Sequence, residues 1–452
     1  MPARLLAAGA APITEARGLG VAVAALIISA EFTFRARDPS LALSGSVDTE
    51  VVFALATSAV VGAWILTRRV WVQLVDARSG LAYQRLDPRS PLRVLRFLAL
   101  VAVVSAFWSP TSIAVVRAVQ FVVVVELMAE SVMICRGNRR AIAAFQAALA
   151  GVLVVGVALA AVITVAMPGF NPFFPTYNGP SRLRLLAMHP IATADLLAVV
   201  ALLLLSPLPD RFRARHSTTA GTASAAWCLA GCGIVVAAMV RTFERGSTLA
   251  GLLALLALVL LNSAPRRLQW ILLWAVSTVI VILTVFGSAI GSFIARGQTA
   301  SSLASLSGRY EIFSEAARLF WLRPFTGWGY DAGRSIFLPT IPWAGESHNV
   351  LVEIAVSTGL LGFFAYSLLF ARWFRMARVG LRGVGLGHRL ASLSIALTIL
   401  ITVVGVGSDS FAGPPKLLVI SLGLALVYAE LAAGLASEAV SGHPVQASPA
   451  RG

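Results

Sequence analysis

The chain has 452 residues, of which 58% are hydrophobic and 12% charged, and its formal net charge is +16. A water-facing surface is built from roughly 25% charged residues, so a soluble globular protein is excluded, as are disordered and collagen-like chains. The positive charge is almost all arginine, with Lys416 the only lysine, and it lacks the aromatic-interleaved patch that single-stranded nucleic acid needs. It points to anionic lipid head groups instead.

In chain order, apolar runs fall near 18–34, 51–67, 94–109, 112–135, 141–167, 189–206, 222–240, 246–262, 270–292, 349–371, 390–408 and 417–436. Crossing a ~30 Å hydrocarbon core takes ~20 residues. The pattern predicts an all-α, polytopic integral membrane protein with about 12 transmembrane helices. The first run reads as a span rather than a cleavable signal. Ser109-Pro110-Thr111 alone separates the third and fourth runs, which predicts a tight turn there. Arginines concentrate in alternate loops: at Arg68, Arg69, Arg78, Arg85, Arg89 and Arg93, then at Arg136, Arg139 and Arg140. The bias returns at Arg211, Arg213 and Arg215, at Arg266 and Arg267, and from Arg372 to Arg389. The positive-inside rule makes that side cytoplasmic, which predicts a multi-pass protein with both termini inside. Residues 1–436 form one transmembrane domain on this reading, and the Ala/Ser/Gly/Pro-rich stretch 437–452 is a disordered cytoplasmic tail.

Between spans nine and ten lies a large extracytoplasmic loop, 293–348. Loops of this length usually carry function. Within it Ile312, Phe313, Ala316, Leu319 and Phe320 recur at helical spacing, so a short amphipathic helix is predicted over 309–321. Pro324 ends it, a turn follows at Gly327-Trp328-Gly329-Tyr330, and the loop forms a cap on the outer membrane surface.

Topology sorts the five histidines. His216 and His388 fall in basic cytoplasmic loops and His443 in the tail. His189 and His348 face outward, at the starts of spans six and ten. Histidine, with an ordinary pKa of about 6.5, can accept a proton at neutral pH. Outward arginines are a second group: Arg182 and Arg184 before span six, Arg241 and Arg245 around the short connection between spans seven and eight, and Arg309, Arg318, Arg323 and Arg334 in the long loop. An ion pair is one explanation, for instance Arg245 with Glu244 or Glu353. An anion site is the other, because guanidinium forks match phosphate oxygens. The anion reading leads for Arg245 and Arg309, the ion-pair reading for Arg318, Arg323 and Arg334. Arg117 and Glu126 in span four, Glu31 in span one and Asp195 in span six are scattered intramembrane charges that resemble no proton relay. Cys135, Cys228 and Cys232 read as small buried hydrophobes. No cofactor motif and no metal-ligand pattern is present.

Three stretches resemble the O-antigen ligase and O-antigen (exopolysaccharide) polymerase superfamily of bacterial envelope glycosyltransferases. Thr242-Phe243-Glu244-Arg245-Gly246 is similar to its T-x-S-R-G span start, with Glu244 in place of the usual Ser. Gly308-Arg309, followed by Pro324, Gly327 and Gly329, is similar to its G-R and P-x-x-G-x-G loop. His348-Asn349 with Gly359 and Gly362 is similar to its H-N and G-x-x-G closing element. Weaker echoes are Trp108-Ser109-Pro110 and Met188-His189-Pro190, where Ile191 replaces an Asn. The motifs keep the family's order and cover about residues 100–375.

The resemblance implies a glycosyltransferase at the outer face of the bacterial cytoplasmic (inner) membrane. Its donor would be a polyprenyl-diphosphate-linked glycan, its acceptor a glycan or lipid hydroxyl, and its chemistry metal-independent and without cofactor. Arg245 and Arg309 would hold the diphosphate, and His348 would be the base or acceptor-orienting group. Arg184, His189, Arg241 and Asn349 are further possible substrate contacts. Ligation and polymerisation share these motifs. The other class considered is a lipid-linked oligosaccharide flippase or other polysaccharide transporter, which predicts charges lining a central cavity and helices broken near the midplane.

Overall fold

The computed structural model describes residues 2–32, 49–79, 86–167, 169–174, 181–207, 219–263, 309–342, 344, 347–407 and 415–440. The predicted span 270–292, the first part of the cap loop and the tail beyond 440 lie outside the described residues.

Long apolar runs give long helices: α1 (Pro2–Glu31), α2 (Thr49–Ser79), α3 (Pro91–Ala106), α4 (Ala114–Cys135), α5 (Arg139–Ala166), α6 (Pro190–Leu205), α7 (Thr219–Arg241) and α8 (Arg245–Leu261). After them come α9 (Arg309–Leu322), the short α10 (Gly333–Phe337), α11 (Val350–Leu381), α12 (Leu386–Gly405) and α13 (Leu417–Val440). Eleven of the predicted runs thus overlap described helices. Among the described residues seven helices are long and apolar enough to cross a membrane, and α6, the apolar part of α7, and α8 are shorter apolar helices. The protein is an all-α membrane protein.

Polar residues at the ends of the apolar runs set where helices start. Ser90 accepts the Leu92 amide at 3.1 Å and Pro91 follows as first helical residue, so α3 begins three residues before its apolar run. Asn138 caps α5 through the amides of Arg140 and Ala141. The described residues hold one addition to the all-α plan, a hairpin of β1 (Phe173–Phe174) and β2 (Arg182–Leu183), antiparallel with Phe173 opposite Leu183 and Phe174 opposite Arg182.

Helix α13 is the axis of the bundle. It is almost wholly buried and packs on α12, α11 and α4, with α1, α3 and α6 completing its surroundings. Its Tyr428 meets Phe145 of α5 edge-on, with ring centroids 6.4 Å apart. Helix α8 sits between α6 and α12.

The buried charges are tied across helices at the predicted inner end. Arg68 of α2 pairs with Glu130 of α4 and with Glu15 of α1, and Arg69 pairs with Glu126 and Glu130. Arg96 of α3 reaches Glu126 at 2.7 Å, and Arg136 reaches Glu430 of α13 at 2.8 Å. Glu126 is therefore no isolated intramembrane charge. Arg117, nine residues earlier on α4, pairs instead with Asp331 from the cap.

Candidate active site

The cap helix forms as its apolar stripe predicts: α9 buries Ile312, Ala316 and Leu319 in a small core with Phe337, Ile341 and Val356. Arg318 pairs with Glu315 one turn earlier, and Arg323 lies over the Trp328 ring at 4.3 Å, so both have structural partners.

Below α9, the segment 324–331 is laced into a break in α11. Gly359 has φ 66 and ψ −164, outside helical geometry, and it interrupts the helix. In an unbroken helix the Val356 carbonyl would accept from Leu360. Here Val356 accepts from Trp328 N–H at 2.9 Å and Ser357 from Gly329 N–H at 2.8 Å, while Leu360 N–H donates to Pro324 at 2.8 Å. Backbone groups freed inside a membrane protein need such partners. A Cβ at Gly359 would meet the Phe325 carbonyl at 2.3 Å, and one at Gly329 would meet Ser109 Cα at 2.6 Å. Three of the glycines that carry the resemblance, Gly327, Gly329 and Gly359, are positions where backbone meets backbone. Next to them, fully buried Tyr330 stacks on Phe121, and the Thr111 hydroxyl donates to the Asp331 carbonyl at 2.6 Å. The cap is thereby fixed to the turn between α3 and α4.

Three elements bring Arg309, His348 and Asn349 to one place. Arg309, first residue of α9, donates from Nη2 to the Gly407 carbonyl at 2.9 Å, just past the end of α12. Asn349 caps α11, its Oδ1 accepting from Leu351 at 3.0 Å and Val352 at 3.2 Å, and its Nδ2 donates to the Val406 carbonyl at 3.3 Å. Arg309 and the residue after His348 thus hold consecutive carbonyls just past the end of α12. Among the described residues no carboxylate pairs with Arg309, and burial holds its guanidinium below the usual arginine range. His348 is half-buried, with φ 54 in the left-handed region.

Arg245 reaches the same end of the bundle by helix geometry. His388 at the start of α12 lies 2.8 Å from the Leu261 carbonyl at the end of α8, and the two helices pack antiparallel from there. Arg245 lies sixteen residues before Leu261 and Val404 sixteen after His388. At 1.5 Å per residue both are about 24 Å from the shared end, which puts Arg245 level with Val404–Gly407.

Around Arg245 the turn from α7 to α8 is clasped by the hairpin. Arg182 pairs with Glu244, and its Nε donates to the Thr242 carbonyl at 3.2 Å. Glu244, one of the two partners considered for Arg245, is paired with Arg182. Phe243 has φ 53, and Arg241 lies over both the Phe173 and Phe243 rings, at 5.8 and 5.4 Å. Arg184 lies over Phe174 at 5.6 Å and donates from Nε to the Asn171 carbonyl at 2.8 Å. His189 caps α6, its Nδ1 accepting the Ile191 amide at 3.3 Å, and meets Phe174 edge-on. Arg184, His189 and Arg241 therefore gather at the hairpin, and Arg309, His348 and Asn349 gather at the end of α12.

Sequence reasoning did not anticipate Arg182 as the partner of Glu244, or Asp331 as the partner of Arg117. Both pairs join residues far apart in the chain, and no local spacing signals them. Among the described residues no three His, Cys, Asp or Glu side chains gather as metal ligands do.

A multi-pass helical membrane protein whose polar, arginine-bearing loops meet at one end of the bundle is the class this architecture defines. Residues 230–367, which contain Arg245, Arg309 and His348, match the model of the O-Antigen ligase family, which supports the resemblance to the O-antigen ligase and polymerase superfamily. No curated protein matches the chain.

Proposed function

We propose that the protein is a metal-independent glycosyltransferase at the outer face of the bacterial cytoplasmic membrane, acting on a polyprenyl-diphosphate-linked glycan. In this reaction an acceptor hydroxyl oxygen attacks the anomeric carbon, the bond to the diphosphate oxygen breaks, and the lipid diphosphate leaves with the electron pair. Arg245 and Arg309 stabilise the charge developing on the leaving group through fixed N–H donors. His348 takes the proton from the acceptor hydroxyl. The observation that carries this reading is the attachment of Arg309 and Asn349 to adjacent carbonyls at the end of α12, level with Arg245. A guanidinium without a carboxylate partner among the described residues suits a site that an anion completes.

The test uses purified protein in lipid nanodiscs with polyprenyl-diphosphate-linked repeat units. Longer glycan from donor alone means polymerase, and product only after a second acceptor is added means ligase. His348→Ala should abolish product while protein level and insertion persist, and chelator should leave turnover unchanged.

The break in α11 favours a second reading, a flippase for lipid-linked oligosaccharide, because transporters bind substrates at broken helices. The freed carbonyls at this break are occupied by the cap backbone rather than turned toward a cavity, which weighs against it. Donor translocation across the bilayer without any new glycosidic bond in the same nanodisc assay would favour the flippase.

A further inference from the structure

His348 sits in a turn held on both sides. Ser347 before it is fully buried, and its hydroxyl donates to the Asn349 carbonyl at 3.0 Å. Asn349 after it is locked as the α11 cap. Between them His348 takes φ 54, a conformation that L-residues adopt rarely and that the surroundings must enforce. The enforcing group lies one turn into α11. Glu353 is almost completely buried; its Oε2 accepts the Ser347 amide at 3.2 Å and its Oε1 accepts the Ser357 hydroxyl at 3.2 Å. Across from it stands Gly333, the first residue of α10, where a Cβ would come within 2.9 Å of Oε1. A carboxylate buried this deeply would be costly without partners, and the amide it holds belongs to the residue immediately before His348.

We infer that Glu353 is the positioning residue for His348: its carboxylate anchors the Ser347 amide and fixes the left-handed turn that aims the imidazole at the acceptor. The assignment rests on the proposed role of His348 in transfer. It also accounts for a buried acid at a place where the helix dipole alone, at the first turn of α11, would be satisfied by an exposed one.

Two readouts in the full-length protein in nanodiscs separate the anchor from the chemistry. Hydrogen exchange of peptides covering Ser347 should rise about tenfold in Glu353→Ala, because that amide loses its acceptor. Transfer turnover should fall about 30-fold with the donor KM within about threefold, as a displaced catalytic group costs rate rather than binding. Glu353→Gln keeps one acceptor oxygen, the Ser357 hydroxyl can turn to accept from the new amide, and both readouts should return close to wild type. If the alanine variant does not insert, Glu353→Asp withdraws the carboxylate by one methylene and should show the same pair of changes. Unchanged exchange at Ser347 in either variant overturns the anchor. Raised exchange with unchanged turnover overturns the role of His348 instead, and His348→Ala would then be active too.

Discussion

The two ends of the bundle treat arginine differently. At the predicted inner end Arg68, Arg69, Arg96 and Arg136 each meet a carboxylate from another helix, so four guanidiniums clamp α1, α2, α3, α4 and α13 together. At the other end Arg182 and Arg117 are paired in the same way, and what they clamp are loops: the α7–α8 turn through Glu244 and the cap through Asp331. Arg309 is set among these clamps, yet among the described residues its recorded partner is a carbonyl. Among the described residues, pairing with a carboxylate thus distinguishes the clamping arginines from Arg309, the arginine assigned above to the proposed anion site. Partial burial of a positive side chain disfavours its charged form, and among the described residues no carboxylate offsets that cost for Arg309.

The sharpest way to break this contrast is to remove Arg309. Arg309→Ala should reduce transfer about 10³-fold, roughly 4 kcal/mol in the barrier, while the melting temperature of the purified protein stays near wild type. A large loss of stability with modest loss of turnover would make Arg309 one more clamp. The converse experiment is Glu130→Gln, which strips a buried partner from both Arg68 and Arg69. Unfolding should become easier by about 3 kcal/mol, read by thermal denaturation in detergent, with turnover per folded molecule preserved. Gly359→Ala tests the seam between cap and helix. The added methyl collides with the Phe325 carbonyl in a left-handed conformation, at a cost of about 2 kcal/mol, and a cap pushed outward should also lower turnover. Least of all should follow from Arg318→Ala, since its pair with Glu315 is solvent-exposed. Both stability and turnover should remain within experimental error.

Hydropathy made the helices legible because each apolar run had to be long enough to cross lipid, and the stripe at Ile312, Ala316 and Leu319 made α9 legible before any packing was known. What the sequence hid was pairing at long range. Glu126 reads as a stray charge in span four until Arg69 and Arg96 are brought to it by two other helices. Glu353 also holds the Ser347 amide before α11 and the Ser357 hydroxyl one turn on, bonds that no spacing in the sequence announces. The hairpin at 173–183 was invisible because two-residue strands have no periodicity to detect. Of the proposed site, the residue types and their place at span ends could be read directly. That Arg309 and Asn349 share the end of α12 could not, since it depends on carbonyls, which every residue has.

The seam between Pro324–Gly329 and Val356–Leu360 also bears on how such a protein can vary. Its three bonds are all backbone to backbone, so the side chains at Phe325 and Thr326 can change without altering them. The number of residues between Pro324 and Gly329 cannot, because one insertion would slide every donor off its acceptor. In this part of the chain, spacing and the glycines at 327, 329 and 359 are what must be kept, and a cap of another length would not fit the break.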